Sequence, residues 1–169
     1  MNWPSWARRV SQSRAQALPR EAPLITGGFL RWGALAVLAM AAMAVAAYLT
    51  YSHYADQPIA CAGLSGCAAV ENSEYSTIIG IPVALLGTLF CAGLLALVLA
   101  RLARLPLTEE WAPLAAFSMT LAGVAFAAYL TYIELFVIED ICIWCASFAS
   151  IITVAWLITL VDVLAPTNE

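Results

Sequence analysis

Two pairs of cysteines carry the chemistry in this chain of 169 residues. Cys61 and Cys67 sit in a polar loop, and Cys142 and Cys145 open the last apolar run as a Cys-Ile-Trp-Cys motif. Two vicinal dithiols at one water–membrane boundary can pass electrons to each other. A thiolate attacks a disulfide sulfur, and the attacked pair is left reduced. That arrangement points to membrane redox chemistry.

Structural staples and metal binding compete for the same residues. A staple between Cys61 and Cys67 closes so short a loop that chain entropy contributes only about 2 kcal/mol. Cys142 and Cys145 stand at i and i+3, where Cβ atoms on a regular helix are about 5–6 Å apart. A disulfide wants about 3.8 Å. Such a bond needs a distorted first turn, and strained, accessible disulfides are the exchangeable ones. The helix N-terminus also favours thiolate. Zinc needs four ligands converging tetrahedrally, and the spacings 61/67 and 142/145 do not form paired knuckles. The one histidine, His53, ends the first apolar run and reads as an interface residue. No metal is expected. Cys91 lies deep in an apolar run, where a free cysteine is a small inert hydrophobe, and reads as a bystander.

The elements that must hold these cysteines are membrane helices. Hydrophobic residues make up 63% of the chain and charged residues 11%, against about 25% charged in a soluble domain. Mean hydropathy is +0.88. Four apolar runs, near 32–52, 77–100, 112–137 and 141–163, are each long enough to span a bilayer, which takes about 20 helical residues. In lipid the backbone must bond within each segment, and continuous apolar runs exclude alternating barrel strands. The expected fold is all-α: a polytopic four-helix bundle over 29–165 with an extracytoplasmic dithiol loop. Residues 1–28 and 166–169 are expected to be tails.

Arginines set the orientation, because the chain has no lysine. Arg8, Arg9, Arg14, Arg20 and Arg31 precede the first span, and Arg101 and Arg104 lie between the second and third. The positive-inside rule places both termini and the 101–111 loop in the cytoplasm of a cell-membrane protein. Segments 53–76 and 138–140, with all four loop and motif cysteines, then face the extracytoplasmic side, where disulfides persist. The first apolar stretch is too long for a signal-peptide core and reads as an uncleaved span.

The chain also repeats. Ala46-Ala47-Tyr48-Leu49-Thr50-Tyr51 returns as Ala127-Ala128-Tyr129-Leu130-Thr131-Tyr132, and the same shift in numbering carries Cys61 to Cys142. Each half is a span, a turn bearing a dithiol, and a return span.

With these residues laid out, the chain resembles the vitamin K epoxide reductase family from about residue 30 to 163. The most specific stretch runs from Tyr129-Leu130-Thr131-Tyr132 through Asp140-Ile141-Cys142-Ile143-Trp144-Cys145. Cys61 and Cys67, then Asn72-Ser73 and Tyr75-Ser76, look like the family's first outer loop, and Ile79-Gly80-Ile81-Pro82 resembles the entry to the second helix in bacterial members. The resemblance implies a bundle enclosing a quinone, ubiquinone or menaquinone, near the outer face. It implies Cys142 and Cys145 as the active-site pair, Cys145 nearest the quinone, and Cys61 and Cys67 as the shuttle pair. It places Ser73 and Ser76 at the quinone, with N-capping of the second helix as their bland alternative. Ala149 stands where animal members have a tyrosine, which argues against efficient epoxide reduction. Many bacterial members carry a fused thioredoxin-like domain. This chain does not, so the expected partner is a separate extracytoplasmic thioredoxin-like (DsbA-like) protein; no nucleic acid is expected.

The leading expectation is a quinone-dependent thiol–disulfide oxidoreductase that reoxidises that partner and drives disulfide formation. The alternatives are a small-molecule quinone or vitamin K epoxide reductase on the same cysteines, and a non-enzymatic four-span scaffold whose structural disulfides resist mild reduction.

Overall fold

The computed structural model describes residues 22–55, 57–61, 66–106, 108 and 110–164. Among these residues it is an all-α bundle with one short hairpin, and four of its helices are long and apolar enough to cross a membrane. Helix α1 spans Ala22–Tyr54, and its apolar part is Gly28–Tyr54. Helix α2, Gly66–Glu71, is a short loop helix followed by a 3-10 turn, Glu74–Ser76. Strands β1, Thr77–Ile78, and β2, Ile81–Pro82, pair as an antiparallel hairpin. Helix α3 is Val83–Leu102, α4 is Ala112–Ile133, and α5 is Ile143–Leu164. Helix α4 runs on as a π-helical turn, Glu134–Ile138.

Two expected boundaries move. The first helix reaches back to Ala22, so residues 22–28 are helical rather than tail; Pro23 falls in the first turn, where its missing N–H has no intrahelical role. The remaining tail residues, 1–21 and 166–169, lie outside the described residues. The second span starts at Val83, not at 77. Pro82 has no N–H to carry a helix through it. Before it, Ile79 and Gly80 have φ of 54° and 77°, the left-handed pair that a tight hairpin turn requires.

Helix α1 packs against α3 and α5, and α5 also packs against α4, while the contact between α3 and α4 is slighter. Leu35, Leu94, Val98, Ile152 and Ala155 form the buried centre. Small residues at Ala39, Ala42, Ala112 and Ala116 are fully enclosed and allow close helix approach. The Thr120 and Thr159 hydroxyls meet across α4 and α5 at 2.9 Å, and each is also within donating distance of a carbonyl of its own helix. At one end of the bundle Arg31 pairs with Asp162 at 3.6 Å, and Arg101 lies over the Trp32 ring. The cysteine pairs lie at the other end. Charges with long stems thus gather at one boundary and the thiols at the opposite one.

The sequence repeat has a partial structural counterpart. Thr50 donates to the Ala46 carbonyl and Thr131 to that of Ala127, each one turn back, and both alanines are buried. Tyr51 and Tyr132 both point outward. Tyr48 and Tyr129 part company: Tyr48 turns to the loop over the cysteine end, whereas Tyr129 is exposed beside Phe126.

Candidate functional site

The last helix opens at the second dithiol. Cys142 directly precedes α5 and its carbonyl accepts from the Ala146 N–H, the first helical bond. Cys142 is buried and Cys145, one turn on, is half-buried; both carry free thiols. The Cys145 side chain hydrogen-bonds to Cys142, and the backbone N–H groups of Cys145 and Trp144 add to it. Together they lower the Cys142 thiol from its ordinary 9.0 to about 7, against the opposing effect of burial. This is thiolate stabilisation at a helix N-terminus.

The first dithiol is a disulfide. Cys61 and Cys67 are bonded, with Cα atoms 6.2 Å apart. Cys61 is half-exposed, whereas Cys67, on the short helix α2, is buried to 1% exposure. Helix α2 lies hard against the chain entering α5. A Cβ added to Gly66 would stand 2.5 Å from the Ile141 carbonyl oxygen and 2.9 Å from its nitrogen. Only a residue without Cβ admits that approach. Gly66 precedes Cys67 and Ile141 precedes Cys142, so the contact brings together the buried members of the two pairs.

A second bridge holds the exposed member. The Ala60 N–H donates to the Tyr48 hydroxyl at 3.0 Å, and the Ala60 carbonyl accepts from Trp144 Nε1 at 3.0 Å. The Tyr48 and Trp144 rings are in contact, with centroids 4.8 Å apart. Trp144, inside the Cys-Ile-Trp-Cys motif, therefore grips the peptide next to Cys61.

Beneath the dithiols lies a cavity of about 370 Å³ between α1, α3, α4 and α5. Its walls are mainly apolar, with Phe90, Phe126, Leu130 and Phe148 among them. Cys145 lines it. Ser73, Ser76, His53, Glu71 and Glu134 supply polar groups at its cysteine end. The volume falls in the usual range for small-molecule pockets, and a mainly apolar wall with a few polar groups is their usual character. An apolar wall with serine hydroxyls and the Cys145 thiol on the same lining fits a quinone by its chemistry.

The serines do not cap the second helix, whose N-cap position is Pro82. Ser73 precedes the 3-10 turn without a capping bond, and its hydroxyl donates to the Val70 carbonyl at 2.7 Å. Ser76 makes no side-chain hydrogen bond among the described residues, so its hydroxyl is the freer of the two. His53 is more than an interface residue. Its Nδ1 meets Glu71 Oε1 at 2.7 Å and ties the end of α1 to the end of α2 at the cavity rim. Cys91 is fully buried in α3, away from either dithiol.

Sequence reading missed Glu134. The residue is 4% exposed and lines the cavity, and its carboxylate accepts from the Cys142 N–H at 3.2 Å. The signal was present: an acid inside an apolar span marks a functional site by default. It also missed the grip of Tyr48 and Trp144 on Ala60, which depends on a contact between distant segments.

The bundle, the paired dithiols and the cavity agree with the comparison to known families. The family model described as "Vitamin K epoxide reductase family" matches residues 33–160. That stretch holds the second and third spans, most of the first and last, both dithiols and Glu134, and this membrane protein therefore belongs to the vitamin K epoxide reductase family of oxidoreductases.

Proposed function

We infer that the protein is a quinone-dependent thiol–disulfide oxidase that reoxidises an extracytoplasmic thioredoxin-like protein. The observation that carries this reading is the division of labour between the cysteines. Cys145 faces the apolar cavity, while Cys142 sits behind the backbone contact that brings Cys67 close.

The half-exposed Cys61 is the entry point. A partner thiolate attacks Cys61, the Cys61–Cys67 bond breaks, and Cys67 leaves as thiolate. The partner's second thiol resolves the mixed disulfide, leaving oxidised partner and reduced Cys61. Cys67 then attacks Cys142 of an oxidised Cys142–Cys145 pair, and Cys145 leaves as thiolate at the cavity wall. Cys61 attacks Cys67 and expels Cys142, whose lowered pKa makes it a good leaving group. Two electrons and two protons have then moved from the partner to Cys142 and Cys145. A quinone, ubiquinone or menaquinone, supplies the two-electron acceptor that returns this pair to the disulfide. Ser76, on the cavity wall, donates a hydrogen bond there in this reading, and Ser73 does so by exchanging its bond to Val70. The phenylalanine walls exclude water.

Orientation rests on the arginines. Both termini are cytoplasmic and the cysteine end faces outward. A cysteine engineered at Glu110, which is exposed, should resist membrane-impermeant labels added to intact cells; labelling from outside would invert the topology.

The function is tested in bilayers containing quinone, with a reduced thioredoxin-like protein as substrate. Thiol loss should depend on both quinone and Cys145. Cys145→Ala should trap a disulfide between the pairs, Cys67–Cys142, read by mass spectrometry. A dominant Cys61–Cys142 bond would reverse the loop roles, and quinone-independent thiol loss would sink the reading.

A further inference from the structure

Glu134 stands at an unusual place in its helix. There α4 passes into the π-helical turn, the Asp140 N–H reaches back to the Glu134 carbonyl at 3.1 Å, and Glu139 adopts a left-handed φ of 59° to end the helix. Single π-turns of this kind frequently sit at functional sites. This one folds the chain back so that the start of α5 lies over the Glu134 side chain. The Cys142 N–H donates to Oε2, and the Cys145 thiol hydrogen-bonds to the same carboxylate.

That environment is poor for a purely structural acid. Burying a carboxylate is costly unless it is paired or fully hydrogen-bonded. The described ion pair and cation–π contact of Arg31 and Arg101 are both at the far end of the bundle. The titratable groups facing Glu134 are Cys142 and Cys145 from the α5 side, and His53, Glu71 and Tyr75 around the same cavity. His53 is already engaged by Glu71. The thiol that hydrogen-bonds to the carboxylate is that of Cys145.

We propose that Glu134 is a catalytic base that takes the proton from the Cys145 thiol. The S–H bond of Cys145 breaks and an O–H bond forms on the Glu134 carboxylate. The products are a thiolate at the cavity wall and a neutral carboxyl beside it, and no electron moves in this step. The carboxyl then holds its proton inside the cavity rather than in bulk water. General bases must lie within hydrogen-bond reach of the proton they abstract, which this geometry satisfies. The proposal rests on the redox reading of Cys142 and Cys145, but its test reads only the thiol proton.

The experiment follows alkylation of Cys145 by iodoacetamide in the reduced protein, held in lipid nanodiscs. A Cys142→Ala background removes the coupled thiol, and mass spectrometry reads Cys145 alone. A free thiol reacts through its own thiolate, so its rate rises about tenfold per pH unit below its pKa. An internal base makes the rate independent of pH across the range where Glu134 is ionised and Cys145 is not. With Glu134 present the rate should show that plateau. Glu134→Gln keeps an acceptor for the residue 142 N–H and should give the tenfold slope instead. Glu134→Asp should keep a plateau at a different height. A tenfold slope with Glu134 present overturns the proposal even if no variant folds. A plateau that survives Glu134→Gln overturns it too. If the plateau follows Glu134 while quinone-coupled oxidation is absent, the base stands and the oxidase reading falls.

Discussion

The backbone of Gly66 meets the backbone of Ile141 so closely that a single added methyl group would stand 2.5 Å from a carbonyl oxygen. One peptide further along each chain lie Cys67 and Cys142, both buried. On the relay proposed above, this contact sets the approach of one sulfur to the other for disulfide exchange.

Gly66→Ala should therefore act on transfer between the pairs more than on either pair alone. Overpacking of this kind costs about 1–3 kcal/mol. A displacement of about 1 Å at a reacting centre can cost about 10²-fold in rate. The Cys61–Cys67 disulfide should still form, and partner mixed disulfides should still be captured at Cys61. Stopped-flow transfer from the loop pair to Cys142–Cys145 should slow by that order. An unchanged rate would mean that the loop helix is free to reposition.

Ala60 is the peptide that Tyr48 and Trp144 hold from two sides. Tyr48→Phe deletes the hydroxyl and leaves the ring contact. A hydrogen bond of this sort contributes about 0.5–1.5 kcal/mol. Hydrogen exchange at the Ala60 amide should speed up by about tenfold, the upper end of that range, with α1 and α5 unaffected. Trp144→Phe should loosen the same peptide without changing Ala60 N–H protection as strongly.

The Cys142 thiol should titrate near pH 7 in the reduced protein, not near its ordinary 9.0. Its folded-state pKa is lowered. The resulting stabilisation of the reduced state is complete above pH 9 and is lost as pH falls through about 7. Cys145→Ala removes the largest cause and should move the titration up toward 9.0. Rates of Cys142 alkylation against pH, read by mass spectrometry, measure both. A Cys145→Ala profile that stays near 7 would assign the shift to the helix N-terminus alone.

Cys91 and the serines separate bystanders from cavity groups. Cys91→Ala should lose at most packing, on the order of 1 kcal/mol, and keep full turnover. Ser76→Ala should weaken quinone use more than Ser73→Ala, because Ser73 already spends its proton on Val70. Removal of a donor to a developing charge costs about 10²–10³ in rate where the site is dry. Steady-state oxidation at varied quinone concentration tests all three variants. A larger loss in Ser73→Ala would mean that its bond to Val70 exchanges on quinone binding.

The amino-acid sequence determined the class by itself. Lipid offers no partner to the backbone, so four long apolar runs could only become four helices. The cysteine pairs were legible because they sit at the ends of those runs, as were the arginines at the opposite ends. What the sequence left open depends on which distant segments touch. Residues 77–82 are apolar enough to extend a span, but Ile79, Gly80 and Pro82 bend them into a hairpin. Ser73 and Ser76 have the composition of a helix cap, yet the helix starts later and both face the cavity. Glu134 looks like one acid near a helix end until a π-turn and the return of the chain at Asp140 bury it against Cys142 and Cys145. Composition and period report what one segment needs from its surroundings. Only packing decides which carboxylate, hydroxyl and thiol share one cavity.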